Sequence, residues 1–192
     1  MADSNIDTFY PTNKAAWRKW LVKNHISSQS VWLICYKKSS GKPTIAWEEA
    51  VEEALCFGWI DSIRKTIDEE KFIQFFSKRK PNGTWSKINK DKVVQLIEKK
   101  LMTEAGFASI QKAKQNGSWT ILDEVEQLII PNDLEEAFAK YPNSKAFYLS
   151  LSKSTRKAIL QWIVMAKQSE TRQKRINEIA ERASQNLKPK HL

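Results

Sequence analysis

The sequence predicts an α+β protein: a small antiparallel sheet of about three strands packed by helices, followed by an all-helical C-terminal region. Three observations predict it. The strand-like runs, Val31-Trp32-Leu33-Ile34-Cys35-Tyr36 and the stretches at 59–67 and 72–79, all fall before residue 80. From residue 89 onward the apolar residues recur with helical spacing. Between these patterns lies a stretch, 47–62, that reads as a helix stopped by Gly58 and turned straight into a strand. The expected boundaries are 1–125 for the α+β domain and 126–192 for a basic helical region.

The 192 residues suffice for a core that removes about 70% of the unfolded surface from water, so no metal or disulfide staple is required. Only five glycines are present, which argues against phosphate-cradling loops. No run of about 18 apolar residues occurs, so no membrane span is expected. Met1-Ala2-Asp3-Ser4-Asn5 carries acid and no apolar core, unlike a signal peptide. Cys35 and Cys56 lack metal-ligand spacing and fit reduced thiols in a cytoplasmic protein.

Taken in order, Tyr10-Pro11-Thr12 opens a helix whose Trp17, Trp20 and Leu21 share one face, with Asn24 as its stop. The run 31–36 is a buried strand, and Ser39-Ser40-Gly41-Lys42-Pro43 is a loop. In the organising helix, Trp47, Ala50, Val51, Ala54, Leu55 and Phe57 form the inward side. Glu48, Glu49, Glu52 and Glu53 form a solvated one, with Cys56 near its middle. Carboxylate neighbours and a helix C-terminus disfavour a thiolate, so Cys56 is excluded as a nucleophile. Gly58 is the expected left-handed residue, and 59–67 with 72–79 form a hairpin turning at Asp68-Glu69-Glu70.

Asn89 is expected to cap the next helix, with Ile88 stapled onto Val93 and with Val93, Val94, Ile97 and Leu101 inward. Thr103 starts a helix with Phe107 and Ile110 inward, ended by Asn116-Gly117. Residues 119–130 are ambiguous. Asn132 caps a helix at 133–140, and Ser144 starts another containing Phe147 and Leu151. Residues 155–167 are apolar on most sides, as in a helix packed between neighbours. The last helix, 170–184, buries Ile176, Ile179, Ala180 and Ala183 beside an ion ladder of Arg175, Glu178 and Arg182. Arg172 falls near the apolar stripe, where a charge must pair or snorkel, and a carboxylate partner is expected. The tail, 185–192, is expected to fray.

Several of these pieces carry a resemblance. Glu53-Ala54-Leu55-Cys56-Phe57-Gly58-Trp59-Ile60-Asp61-Ser62, Phe76-Ser77-Lys78-Arg79-Lys80, Trp85-Ser86-Lys87-Ile88-Asn89, Ile130-Pro131-Asn132-Asp133-Leu134 and Ala166-Lys167-Gln168-Ser169-Glu170-Thr171-Arg172 resemble the bacterial YdeI/OmpD-associated, or bacteriocin-protection, family. Order and spacing fit along nearly the whole chain. The resemblance implies a stress-resistance role and carries over no catalytic residue.

The residues themselves offer little chemistry. The two histidines, His25 and His191, sit at a helix end and in the tail, so no nucleophilic triad is assembled. No zinc, nucleotide or dinucleotide motif occurs; no cofactor and no metal are expected. Trp59, Asp61, Ser62 and Arg64 on the strand after Gly58 are polar where a half-buried strand is usually apolar. Facing Arg79, Trp85, Ser86 and Asn89, they supply aromatic walls, anion donors and one carboxylate, the composition of a small anionic-ligand site. The structural alternative pairs Asp61 with Arg79 and uses Ser86 or Asn89 as a cap.

Three functional readings follow. The first is a non-enzymatic binding or stress-resistance protein. The second is nucleic-acid or anionic-surface binding. It rests on the segment from Lys140 onward, with 12 basic and three acidic residues, net +9. That segment interleaves no exposed aromatics, and a solvated helical surface explains it as well. The third is an enzyme on a small anionic substrate at Asp61. Oligomeric state is not encoded in any pattern found.

Overall fold

Alternating β-branched and aromatic residues build the sheet, as their branched side chains pack well on a pleated surface. The structure, a computed structural model, describes residues 7–192, so the expectation placed on Met1-Ala2-Asp3-Ser4-Asn5 lies outside the described residues. Strands β1 (Thr8–Phe9), β2 (Ser30–Tyr36), β3 (Trp59–Thr66) and β4 (Lys71–Lys78) lie in the order β1-β2-β4-β3. β2, β4 and β3 are antiparallel, as expected. The sheet is nonetheless mixed and four-stranded, because Thr8–Phe9 runs parallel to Trp32 and Leu33. Two residues give no strand signal of their own. Here Trp32 N donates to Asp7 O, and the Phe9 ring stacks on Trp17 and Trp20.

Two units divide the chain, one up to Trp119 and one from Thr120–Leu192. In the first, Val31, Leu33 and Cys35 of β2 and Phe76 of β4 point into a core shared with Trp17, Leu21, Leu55 and Trp59. Helix α1 (Lys14–Asn24) is capped by Asn13 Oδ1, which accepts from Ala16 N at 2.9 Å. Trp17 Nε1 donates to Ala50 O at 3.0 Å, fastening α1 to α2 (Trp47–Cys56).

α2 departs from its expected wheel. Trp47 is 50% exposed, whereas Glu53 and Cys56 are buried at 2% and 0%. The helix contacts α1, β3, α3 and α4, so its buried arc is wider than one face and rotated towards α1. There Arg18 Nη1 meets Glu53 Oε2 at 2.7 Å and Lys14 Nζ lies 3.6 Å from Oε1. A carboxylate this deep is held because it is paired. Burial, first, and then Glu53 push the Cys56 thiol up to about 11; burial does the same for Cys35, also to about 11.

α3 (Lys87–Glu98) starts earlier than expected: Ser86 is its cap, and its hydroxyl accepts from Asn89 N at 3.3 Å. That shift leaves Ile88, Val94 and Ile97 exposed and buries Val93 and Leu96. α4 (Glu104–Gln115) is capped by Thr103, as expected, but its buried stripe is Gly106, Ile110 and Ala113, and Phe107 lies beside it, exposed.

The second unit is helical throughout its regular elements: α5 (Asp123–Glu126), α6 (Asn132–Lys140), α7 (Ser144–Ser150), α8 (Lys153–Val164) and α9 (Ser169–Ser184). Leu134, Phe138, Tyr148, Ile159, Leu160, Ile163, Ile176 and Ile179 form its core. Pro131, not Asn132, occupies the cap position of α6. The ladder on α9 is replaced by bonds to other segments. Arg175 donates to Trp162 O and lies over its ring, Arg182 Nε donates to Lys188 O at 2.6 Å, and Glu178 accepts from Lys190 N at 2.8 Å. These bonds, with His191 stacked on Trp162 at 3.9 Å, fold the tail back along α9 rather than letting it fray. Among the described residues no helix is long and apolar enough to cross a membrane.

Candidate functional site

The site is built on the junction read first in the sequence. α2 ends at Phe57, and Gly58 takes φ +71°, where a side chain is strained. β3 then begins at once with Trp59. The Gly58 carbonyl accepts from Arg79 N at 2.9 Å, which sets the end of β4 beside the junction.

α4 is pressed against the same junction through its backbone. Thr103 N and Thr103 Oγ1 both donate to Cys56 O, at 3.1 and 2.6 Å. A Cβ on Gly106 would stand 2.4 Å from that oxygen, and one on Gly58 would stand 2.9 Å from Ala105 O. Only glycine at both positions permits this approach.

Between α4, the junction and the ends of α1 and β4 lies a cavity of about 520 Å³, within the range of small-molecule sites. Its floor is Phe57, Gly58 and Trp59; Ala105, Ala108 and Ser109 give α4 a small-residue wall. His25, Ile26, Lys78, Arg79 and Pro81 face that wall, and Glu104 and Lys112 lie at positions eight apart on α4, about 12 Å along the axis. His25 Nδ1 lies 2.9 Å from Leu21 O and its ring packs on Phe57. Lys78 Nζ donates to Ile26 O at 2.7 Å.

Arg79 is the distinctive member. Its guanidinium lies 3.6 Å over the Trp85 ring, and Nη1 donates to Thr84 O at 3.1 Å. Its Nε and Nη2 are buried without an acceptor, and so is the Trp59 Nε1. Burial brings Arg79 down to about 10, against the raising effect of Asp61. The loop carrying it is held by Asn116 Nδ2, which donates to Pro81 O at 2.8 Å, and by Trp85 against Trp119 at 4.9 Å.

Of the residues singled out in the sequence, Trp59 and Arg79 line the cavity, and Trp85 backs Arg79. Ser86 and Asn89 meet each other at the start of α3. The remainder sit along the hairpin. Asp61 accepts from Trp47 Nε1 at 2.9 Å and from Gln74 Nε2 at 3.5 Å. Ser62 offers its carbonyl to Gln74 Nε2 at the β-bulge between Asp61 and Arg64, and Arg64 covers Phe72 at 3.6 Å. Sequence reasoning missed His25, Lys78, Glu104, Ser109 and Lys112 as cavity residues. The one signal for them was the small-residue spacing Ala105, Ala108, Ser109, which allows a close helix approach.

The basic C-terminal segment changes character once its whole unit is counted. Residues 120–192 hold 12 basic and nine acidic side chains, a net of +3, whereas residues 1–119 carry +7. The acids that precede Lys140 fold back onto the bases. Arg172 grips Asp133 with Nε and Nη2 at 2.6 and 3.0 Å, Lys145 meets Glu135 at 2.7 Å, and Lys157 meets Glu126. Among the described residues no group of three or more His, Cys, Asp or Glu could hold a metal ion.

No curated protein and no solved structure matches the chain. Two families do. Residues 127–186 match the family described as "Bacteriocin-protection, YdeI or OmpD-Associated". The resemblance noted in the sequence is thus shown there through Ile130-Pro131-Asn132-Asp133-Leu134 and 166–172. Residues 9–109, which include Glu53 to Ser62 and the whole cavity except Lys112, match instead a "Domain of unknown function (DUF8412)". The chain belongs to the DUF8412 family, and its second unit is of the YdeI/OmpD-associated type.

Proposed function

We propose that the protein is a non-enzymatic binding protein, cytoplasmic and of the stress-resistance kind, whose first unit takes a small anionic ligand in the cavity beside Gly58. The observation that carries this reading is Arg79: a guanidinium in the cavity wall, over the Trp85 ring, with two buried nitrogens that find no acceptor among the described residues. Leaving a buried donor unmatched costs about 1–3 kcal/mol, and a bound anion offsets it. Asp61 is not in the cavity wall and is engaged by Trp47 and Gln74, so the carboxylate on which the enzymatic reading rested is not at the cavity, whose lining carboxylate is Glu104. The fall from +9 to +3 on counting the whole second unit, where Asp133, Glu135 and Glu126 pair with Arg172, Lys145 and Lys157, favours this reading over a nucleic-acid partner.

A metabolite screen by thermal shift tests the reading. A ligand at one hundred times its Kd stabilises by about 2.7 kcal/mol, a rise of roughly 5–10 °C in Tm. Small organic anions are expected to produce it in the wild type and to lose it in both Arg79→Lys and Lys112→Glu. Anions that shift all three proteins equally, or none that shifts the wild type, would sink the proposal.

A further inference from the structure

The ligand's head group and body can be read from the balance of the cavity. Resting on the binding function proposed above, we propose that the cavity takes a phosphomonoester of a compact apolar or aromatic body, with the phosphoryl group between Arg79 and Lys112. Three cations, Lys78, Arg79 and Lys112, line the space against one carboxylate, Glu104. A lining with two cations in excess is neutralised by a dianion and left half-neutralised by a carboxylate. A phosphoryl group carries close to two negative charges at neutral pH and three acceptor oxygens. Arg79 brings its guanidinium to this lining, with Nε and Nη2 lacking an acceptor among the described residues. The planar fork of Arg79 suits either anion, but a phosphoryl group keeps a third oxygen for Lys112 once two are engaged by the fork.

The position of Glu104 gives the ligand a direction. Glu104 and Lys112 lie eight residues apart on α4, about 12 Å along its axis. Thr103, next to Glu104, is bound to the end of α2, whereas Asn116, one turn beyond Lys112, is bound to the loop of Pro81. The carboxylate therefore repels an anion from the α2 end and leaves it to Lys112 and Arg79. The body is then seated over Phe57, Gly58 and the small side chains of Ala105 and Ala108. Apolar groups at this end exclude water from the head group and strengthen its contacts.

Calorimetric titration of the full chain with phenyl phosphate, benzoate and inorganic phosphate at pH 8 tests this. Phenyl phosphate is expected to bind about tenfold more tightly than either of the other two, equivalent to about 1.4 kcal/mol. Arg79→Lys keeps the charge but not the fork, and is expected to weaken phenyl phosphate about tenfold. Glu104→Gln, an exposed change, is expected to tighten it severalfold. Benzoate binding as tightly as phenyl phosphate would overturn the dianionic head while leaving anion binding in place. Inorganic phosphate binding as tightly would overturn the apolar body. Failure of all three to bind would overturn the cavity reading itself, and this one with it.

Discussion

In the second unit Arg172 is met by both oxygens of Asp133, whereas in the first Arg79 is buried with two nitrogens unanswered. The two arginines share a problem, since each is drawn towards apolar surroundings by the fold around it. Arg172 lies on α9 beside Ile176, and α6 brings a carboxylate to it. Arg79 leaves the sheet at the Gly58 junction, and what faces it is an aromatic ring and a cavity. The difference separates a charge that holds a structure together from one that, on the function proposed above, is met by a bound anion. The second unit has unmatched groups of its own, the Tyr148 hydroxyl and Arg156 Nε. Tyr148 is 1% exposed within the helical core, and burial pushes its hydroxyl up to about 12.

The contrast is broken most severely at Gly106. Gly106→Ala places a Cβ 2.4 Å from Cys56 O and 2.6 Å from Met102 Cε. Loss of about 3 kcal/mol of first-unit stability is expected, because one of the two obstacles is backbone. Denaturant unfolding followed by tryptophan fluorescence measures it selectively, since seven of the eight tryptophans precede Thr120. A variant as stable as the wild type would show that the approach of α4 is not fixed by glycine.

A smaller effect sharpens the comparison inside the first unit. Glu53→Ala leaves Arg18 and Lys14 without their deep partner, and a loss of about 2–3 kcal/mol is expected. Glu48→Ala, on the exposed side of the same helix, should change stability by less than about 0.5 kcal/mol. Equal losses in urea unfolding would contradict the pairing.

The smallest change expected is in the second unit. Arg172→Ala should cost about 1 kcal/mol at neutral pH, because both partners are partly exposed. The Arg172 guanidinium, first, holds the Asp133 carboxyl below its usual range. A depressed carboxylate contributes stability above its unfolded value, near about pH 4, and loses it as pH falls through the folded value. The difference between wild type and Arg172→Ala should therefore be full at pH 6 and shrink below about pH 4. Circular dichroism of urea unfolding across that range checks it, and a difference independent of pH would rule the pairing out.

These particulars also show what could be read in advance. The left-handed Gly58, the hairpin, the Thr103 cap and the carboxylate partner of Arg172 all follow from local rules and appear in the structure. The orientation of α2 does not. A helical wheel assumes one buried side, and α2 has neighbours on several, so Trp47 turned out and Glu53 turned in. The cavity residues were illegible for a related reason. His25, Lys78 and Glu104 come from three elements distant in sequence, and nothing local announces that they meet. Trp59 and Arg79 were visible because they flank the junction itself.

That junction acts as a gauge. The spacing between α4 and the floor of the cavity is set by Cys56 O, Thr103, Gly58 and Gly106, all backbone or backbone-directed contacts. Of the side chains that face the cavity, Ala108 and Lys112 take no part in those contacts. Substitutions at Ala108 or Lys112 are therefore expected to change the lining while the gap keeps its width. On the binding function proposed above, such a frame would let ligand preference be altered while the fold stays at a constant calibre.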